Sequence, residues 1–148
     1  GERFHEWVME RFSLSPGFDE LDFRVHAEEP GLERLKRAFE ASQFANRTPL
    51  GIEVPFLLCW ESLVLRGRID AVFPSDDPAF DALVIDWKIG DTDADPLQLA
   101  IYRQAWAEAH GLEPERVATA FYHVLANRLE PVVAGPELIR AATATITP

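Results

Sequence analysis

Asp86 and Lys88 stand two residues apart in Val84-Ile85-Asp86-Trp87-Lys88, within the nearly continuous apolar run Ala82 to Trp87. Such a run reads as a central strand buried on both faces. Strand side chains alternate, so the carboxylate and the ammonium share one face and Trp87 takes the other. A carboxylate so placed can hold a divalent cation. The lysine can orient or deprotonate a water on that cation, or offset charge on a phosphoryl transition state. The plainer reading is a surface ion pair worth about 0–1 kcal/mol. A second acid bears on the choice. Asp70 interrupts the β-like run Leu65 to Phe73, and hairpin or neighbour pairing would set it beside Asp86. Buried carboxylates need partners. A cation shared by Asp70 and Asp86 supplies one. Pairing with Arg66 or Arg68, which share the strand parity of Asp70, supplies another.

The chain that must position these groups has 148 residues, 47% hydrophobic and 26% charged. That is one globular domain with enough length for a real core. A single cysteine, Cys59, excludes a disulfide framework, a four-cysteine iron–sulfur cluster and a CxxC zinc site. Its place in a strand predicts a small buried hydrophobe. No apolar run approaches the roughly 18 residues of a membrane span, and no signal peptide is visible, so the expected compartment is cytoplasmic. Acids number 25 against 14 bases, a net charge of −11, which argues against holding nucleic acid by bulk electrostatics. Eight of the acids fall between Asp70 and Asp95, with Lys88 the single base among them. A stretch like that is a solvated loop, or a site for a hard cation.

The elements follow from periodicity. Phe4, Trp7, Val8 and Phe12 make one apolar helix face at the start of the chain. Opening inside an element suggests a domain taken from a longer protein. Ser13 to Glu29, with Pro16-Gly17, reads as a loop. Pro30 suits the first turn of a second helix carrying Leu32, Leu35 and Phe39. Glu53 to Trp60 and Leu63 to Phe73 read as a hairpin around Glu61-Ser62, and Pro74 to Pro78 as a turn. The Asp86 strand comes next, then a polar loop from Gly90 to Asp95. Asp95-Pro96 looks like an N-cap and first-position proline, opening a helix to about His110 with Gly111 as its stop. Arg116 to Ala126 is β-like, Asn127-Arg128 a turn, Leu129 to Ala134 a strand, and Pro136 starts a last helix. The order predicts an α/β fold with one mixed central sheet flanked by helices.

Glu53-Val54-Pro55-Phe56, Gly67-Arg68-Ile69-Asp70, Asp86-Trp87-Lys88 and Gln98-Leu99-Ala100-Ile101-Tyr102 occur in that order. Together they resemble the motifs of RecB-type nuclease domains of the PD-(D/E)xK superfamily. The opening Gly1-Glu2-Arg3-Phe4-His5 is similar to that family's first motif, a helix bearing a histidine. Phe121-Tyr122-His123-Val124 and Asn127-Arg128 resemble the last strands of the C-terminal domain in actinobacterial UvrD/Rep-like, AdnAB-type helicase–nucleases. The resemblance covers nearly the whole chain, 1–148. It implies a restriction-endonuclease-like core and a metal-dependent DNA nuclease or exonuclease using Mg²⁺ or Mn²⁺. The implied setting is DNA repair at double-strand breaks, with helicase domains in cis feeding a single strand and a partner subunit beside them. It also implies roles: Asp70, Asp86 and His5 as metal ligands with the backbone carbonyl of Trp87, and Lys88 as the catalytic lysine. Glu53 would support the site, and Gln98 and Tyr102 would contact DNA or brace it.

Each of these residues has a plainer role as well. His5 could pack against Met9 and Phe12, Gln98 could be the third-position member of a capping box with Asp95, and Tyr102 could be core. Ile89 follows the lysine where the family commonly has Thr or Ser, and cluster-binding cysteines are absent, which implies the branch without an iron–sulfur cluster. A catalytically silent copy of the fold, kept for DNA positioning or subunit contact, is the alternative. Silent copies tend to lose the lysine or an acid, whereas Asp70, Asp86 and Lys88 all stand here. His26, His110 and His123 have no partner readable from the sequence.

Overall fold

A computed structural model describes residues 2–12, 31–90 and 94–144. The loop expected over Ser13 to Glu29, Pro30, His26, and the acids Asp91 and Asp93 lie outside the described residues.

Helix α1 (Glu2–Arg11) and helix α2 (Leu32–Glu40) bury the faces their periodicity marks: Phe4 and Val8 on the first, Leu32, Leu35 and Phe39 on the second. Strands β1 (Gly51–Trp60) and β2 (Leu63–Pro74) form the hairpin turning at Glu61 and Ser62. Strand β3 (Ala82–Lys88) is buried along nearly its whole length. Helix α3 (Pro96–Ala109) opens as expected, with the Asp95 carboxylate accepting from the Leu97 N–H at 3.0 Å. It stops at Gly111, whose φ of +65° is costly for any residue with a Cβ. Arg116, expected to open a strand, instead closes a 3₁₀ turn, Pro114–Arg116. Strand β4 (Val117–His123), strand β5 (Arg128–Pro131) and helix α4 (Glu137–Thr143) complete the chain. Strand β5 is shorter than the expected Leu129 to Ala134. Pro131 has no N–H for the ladder, and only Val132 N–H still reaches the carbonyl of Thr119, at 3.0 Å.

The strands lie in the order β1-β2-β3-β4-β5. Pairing is antiparallel except between β3 and β4, which helix α3 connects as parallel neighbours. The result is the expected mixed sheet with helices on both faces. On one face α1 and α2 pack Phe4, Val8, Leu35 and Phe39 against Phe73, Ile85, Trp87 and Tyr122. On the other, α3 and α4 pack Leu99, Tyr102, Trp106 and Ile139 against Val72, Val84 and Phe121. Among the described residues no helix is long and apolar enough to cross a membrane.

The hairpin does not stay on one side of this sandwich. Ile52 packs into the first core and Val54 into the second, although they share a strand parity. Opposite them, Ala71 and Ile69 divide in the same way. The change of side falls at Glu53, whose φ of +49° is rare for a residue with a side chain. Beyond that point the outer half of the hairpin curls over α3, and its other side faces outward. Cys59 lies on that outward side and is exposed, not buried as its strand position suggested.

Candidate metal centre

Strands β2 and β3 pair from Ala71↔Ile85 to Pro74↔Ala82 and then separate. At the next position on β2, Asp70 fills the gap with its side chain: Oδ2 accepts the Trp87 N–H at 2.9 Å. A residue's N–H and C=O leave a strand on the same side. The carbonyl of Trp87 therefore faces this gap, while that of Lys88 points the other way and accepts from Val124 N–H at 2.9 Å. Trp87's ring sits in the first core, and Asp86 and Lys88 take the opposite face, as alternation predicts.

Two more elements reach the gap. From α1, His5 Nδ1 lies 3.1 Å from Glu53 Oε1 and 3.4 Å from Asp70 Oδ1. One ligand atom from each of His5, Glu53 and Asp70 falls within 4.8 Å of the others. Burial alone would lower the His5 pKa, but bonds to Asp70 and Glu53 outweigh it and raise it to about 10. Met9 and Phe12 are thus not what anchors His5. Among the described residues Asp70 is partnered by His5, Trp87 and Asp86, and not by Arg66 or Arg68 on its own strand.

Asp86 is the member with an unsatisfied buried oxygen. Its Oδ2 lies 3.1 Å from Lys88 Nζ. The approach lacks hydrogen-bond geometry, so this buried oxygen accepts no hydrogen bond. Burial and then the adjacent Asp70 push the Asp86 carboxyl up to about 7, against the pull of Lys88. Asp70 moves the other way. Burial opposes its ionisation, but His5, Asp86 and the Trp87 amide together hold its carboxyl below the usual range. Carboxylates crowded this closely, one with an orphaned buried oxygen, and an imidazole nitrogen beside them make a donor set that fits a hard divalent cation. His5, Glu53 and Asp70 are the side chains whose ligand atoms could hold it together, and Asp86 stands next to Asp70 outside that group.

Around this set, Gln98 Nε2 donates to the Tyr102 hydroxyl at 2.7 Å. The cap of α3 is the Asp95 carboxylate on the Leu97 N–H, with no return bond from Gln98 to the Asp95 N–H among the described residues. Tyr102 is buried, and burial followed by the charges of Asp70 and Asp86 pushes its phenol well above the ordinary range. Lys88 Nζ lies 5.4 Å from the centre of the Phe121 ring, which shields its inner side. The remaining histidines stand elsewhere: His110 stacks on Trp106 at 3.7 Å, and His123 Nε2 meets Glu130 at 2.7 Å.

Of the residues singled out in the sequence, His5, Glu53 and Asp70 meet here, with Asp86 and Lys88 paired beside Asp70. Glu53 was expected only to support the site, yet it stands among the possible ligands. A signal for this was present. A hairpin turning at Glu61 and Ser62 pairs Ile52 with Ala71 and Val54 with Ile69, which places Glu53 across from Asp70.

The family model described as PD-(D/E)XK nuclease superfamily matches residues 2–147. No curated protein matches the chain.

Proposed function

The chain belongs to the PD-(D/E)XK nuclease superfamily, and from that premise we propose that it is a divalent-metal-dependent DNA nuclease. The observation that carries the reading is the meeting of Asp70, Asp86, His5 and Lys88 where β2 and β3 separate. His5, Glu53, Asp70, Asp86 and the Trp87 carbonyl would hold Mg²⁺ or Mn²⁺. When bound, such a cation lowers the pKa of a water and offsets charge at phosphorus. The chain's own groups do the rest. Lys88, held between Asp86 and the Phe121 ring, keeps its ammonium toward the gap and donates to the water or to a phosphate oxygen. Asp70 fixes the two strand ends through the Trp87 amide, so the ligands keep their spacing without a ladder. Gln98 and Tyr102 brace the entrance or touch the DNA backbone.

The order of motifs further supports a place at the C-terminus of a RecB-like, AdnAB-type helicase–nuclease acting on broken DNA ends. The net charge of −11 fits that setting, because a domain supplied with a single strand by a motor need not attract DNA by itself. The decisive experiment is a nuclease assay of the full-length gene product with Mg²⁺, Mn²⁺ and EDTA, beside Asp86→Ala. Cation-dependent cutting that Asp86→Ala abolishes is expected. Absence of cutting by the wild type with intact metal binding would instead favour a silent module for DNA positioning.

A further inference from the structure

Between the outer half of β2 and helix α3 runs a groove of about 430 Å³, with Phe56, Leu65, Arg66, Gly67, Gln98 and Tyr102 among its lining residues. That size is ordinary for a small-molecule site. The groove exists because β2 has strands on both sides only from Ala71 to Pro74. From Leu63 to Ile69 its ladder runs to β1 alone among the described residues, and the other edge stays open. Gly67 makes room for the floor, since a Cβ there would come within 3.1–3.2 Å of the Phe56 ring. Phe56 in turn meets Tyr102 edge-on, with ring centroids 5.8 Å apart. Tyr102 belongs to both places: its ring borders the groove, and its hydroxyl, bonded to Gln98, feels the charges of Asp70 and Asp86.

Arg66 lines the same groove, is exposed, and has no ion-pair partner among the described residues of a chain with a net charge of −11. Aromatic and aliphatic floor, a backbone edge and a guanidinium both without partners among the described residues, and an end at the carboxylate cluster are complementary to one ligand chemistry. That chemistry is a flat apolar base joined to a phosphate anion. We infer that this groove seats one unpaired nucleobase of the strand being cut, with Arg66 taking the phosphate attached to it. The assignment rests on the nuclease reading for its substrate. A base held in Watson–Crick pairing presents only its edges to the grooves of a duplex, so the nucleotide must be unpaired to enter.

The test uses the full-length gene product and a fluorescent oligothymidylate, with Arg66→Glu and with Ile101→Trp, which fills the groove from α3. Arg34→Glu, exposed on α2, is the control. Both groove variants should raise KM about tenfold, the scale of one lost base–aromatic contact, with a smaller effect on kcat. The control should match the wild type. On an oligonucleotide of abasic residues the wild type should lose the groove's contribution, and Ile101→Trp should then carry no penalty. Unchanged KM in both variants, with cation-dependent cutting intact, would overturn the groove while leaving the nuclease reading standing, and would leave the open edge to a protein strand. Should the wild type not cut at all, the nuclease reading fails, and fluorescence anisotropy on the same oligonucleotides decides the groove. Equal affinity of wild type and variants there overturns it.

Discussion

The Asp70 carboxylate stands in for a strand: its Oδ2 takes the Trp87 N–H at 2.9 Å, one position beyond the last backbone pair between β2 and β3. The residue is thus structural, and on the proposed reading a cation ligand as well. Asp70→Asn keeps an acceptor for that amide, whereas Asp70→Ala leaves a buried N–H unpaired. The alanine variant should be less stable than the asparagine variant by about 1–3 kcal/mol. Urea unfolding of both proteins checks it, and equal midpoints would show that the amide finds another partner.

Lys88 is not among the possible ligands, and its side chain ends at the gap and not in the core. Lys88→Ala should therefore keep the fold and most of the cation affinity. Cutting should fall roughly 100- to 1,000-fold, the ~2.7–4 kcal/mol expected for one lost preorganised electrostatic contact. Mn²⁺ titration calorimetry and single-turnover cleavage separate the two effects. Near-normal cleavage would remove Lys88 from the mechanism.

Without a cation, His5 keeps its proton to about pH 10, against 6.5 for an ordinary imidazole. The stability that proton supplies is whole below 6.5 and is lost as pH rises through about 10. Asp86 acts in the same direction lower down. With its carboxyl raised from 3.8 to about 7, the fold loses stability as pH rises between those values. Cation binding needs both groups deprotonated. Mn²⁺ should therefore bind more tightly, and raise Tm further, at about pH 8 than at about pH 6, releasing protons as it binds. Calorimetry in two buffers of different ionisation enthalpy measures that release. Affinity independent of pH would mean that His5 and Asp86 stay out of the coordination shell.

Gly51 tests the crossing of the hairpin from one core to the other. A Cβ at this position would lie 2.6 Å from Val54 Cγ2, with the Trp106 ring 3.6 Å away. Valine has little rotameric freedom to retreat. Gly51→Ala should cost about 1–3 kcal/mol, the range of overpacked cores. A thermal melt unchanged from wild type would mean that β1 bends more freely at Glu53 than its packing implies.

The parts of the fold legible in the sequence were those set by local rules. Alternation in Ala82 to Lys88 places Trp87 opposite Asp86 and Lys88, and Asp95-Pro96 with Gly111 bounds α3. What stayed hidden depends on tertiary context. Glutamate has no intrinsic preference for positive φ, so nothing local marks Glu53 as the point where β1 changes sides. Cys59 was misjudged for the same reason: its burial depends on which way the curled hairpin faces. His5 lies 48 residues from Glu53 in sequence, and only the resemblance singled it out. The register of the hairpin was within reach, and it alone brings Glu53 to Asp70.

Helix α1 contributes His5 to the gap and Phe4 and Val8 to the first core, whereas Asp86 and Lys88 project on the side of the second. On the proposed reading, one cation would bind both halves of the molecule together. A chain whose first helix has not yet docked lacks a ligand, and the cluster cannot close. Catalytic competence would then be withheld until folding is complete, so that a nascent or partly unravelled copy could not cut.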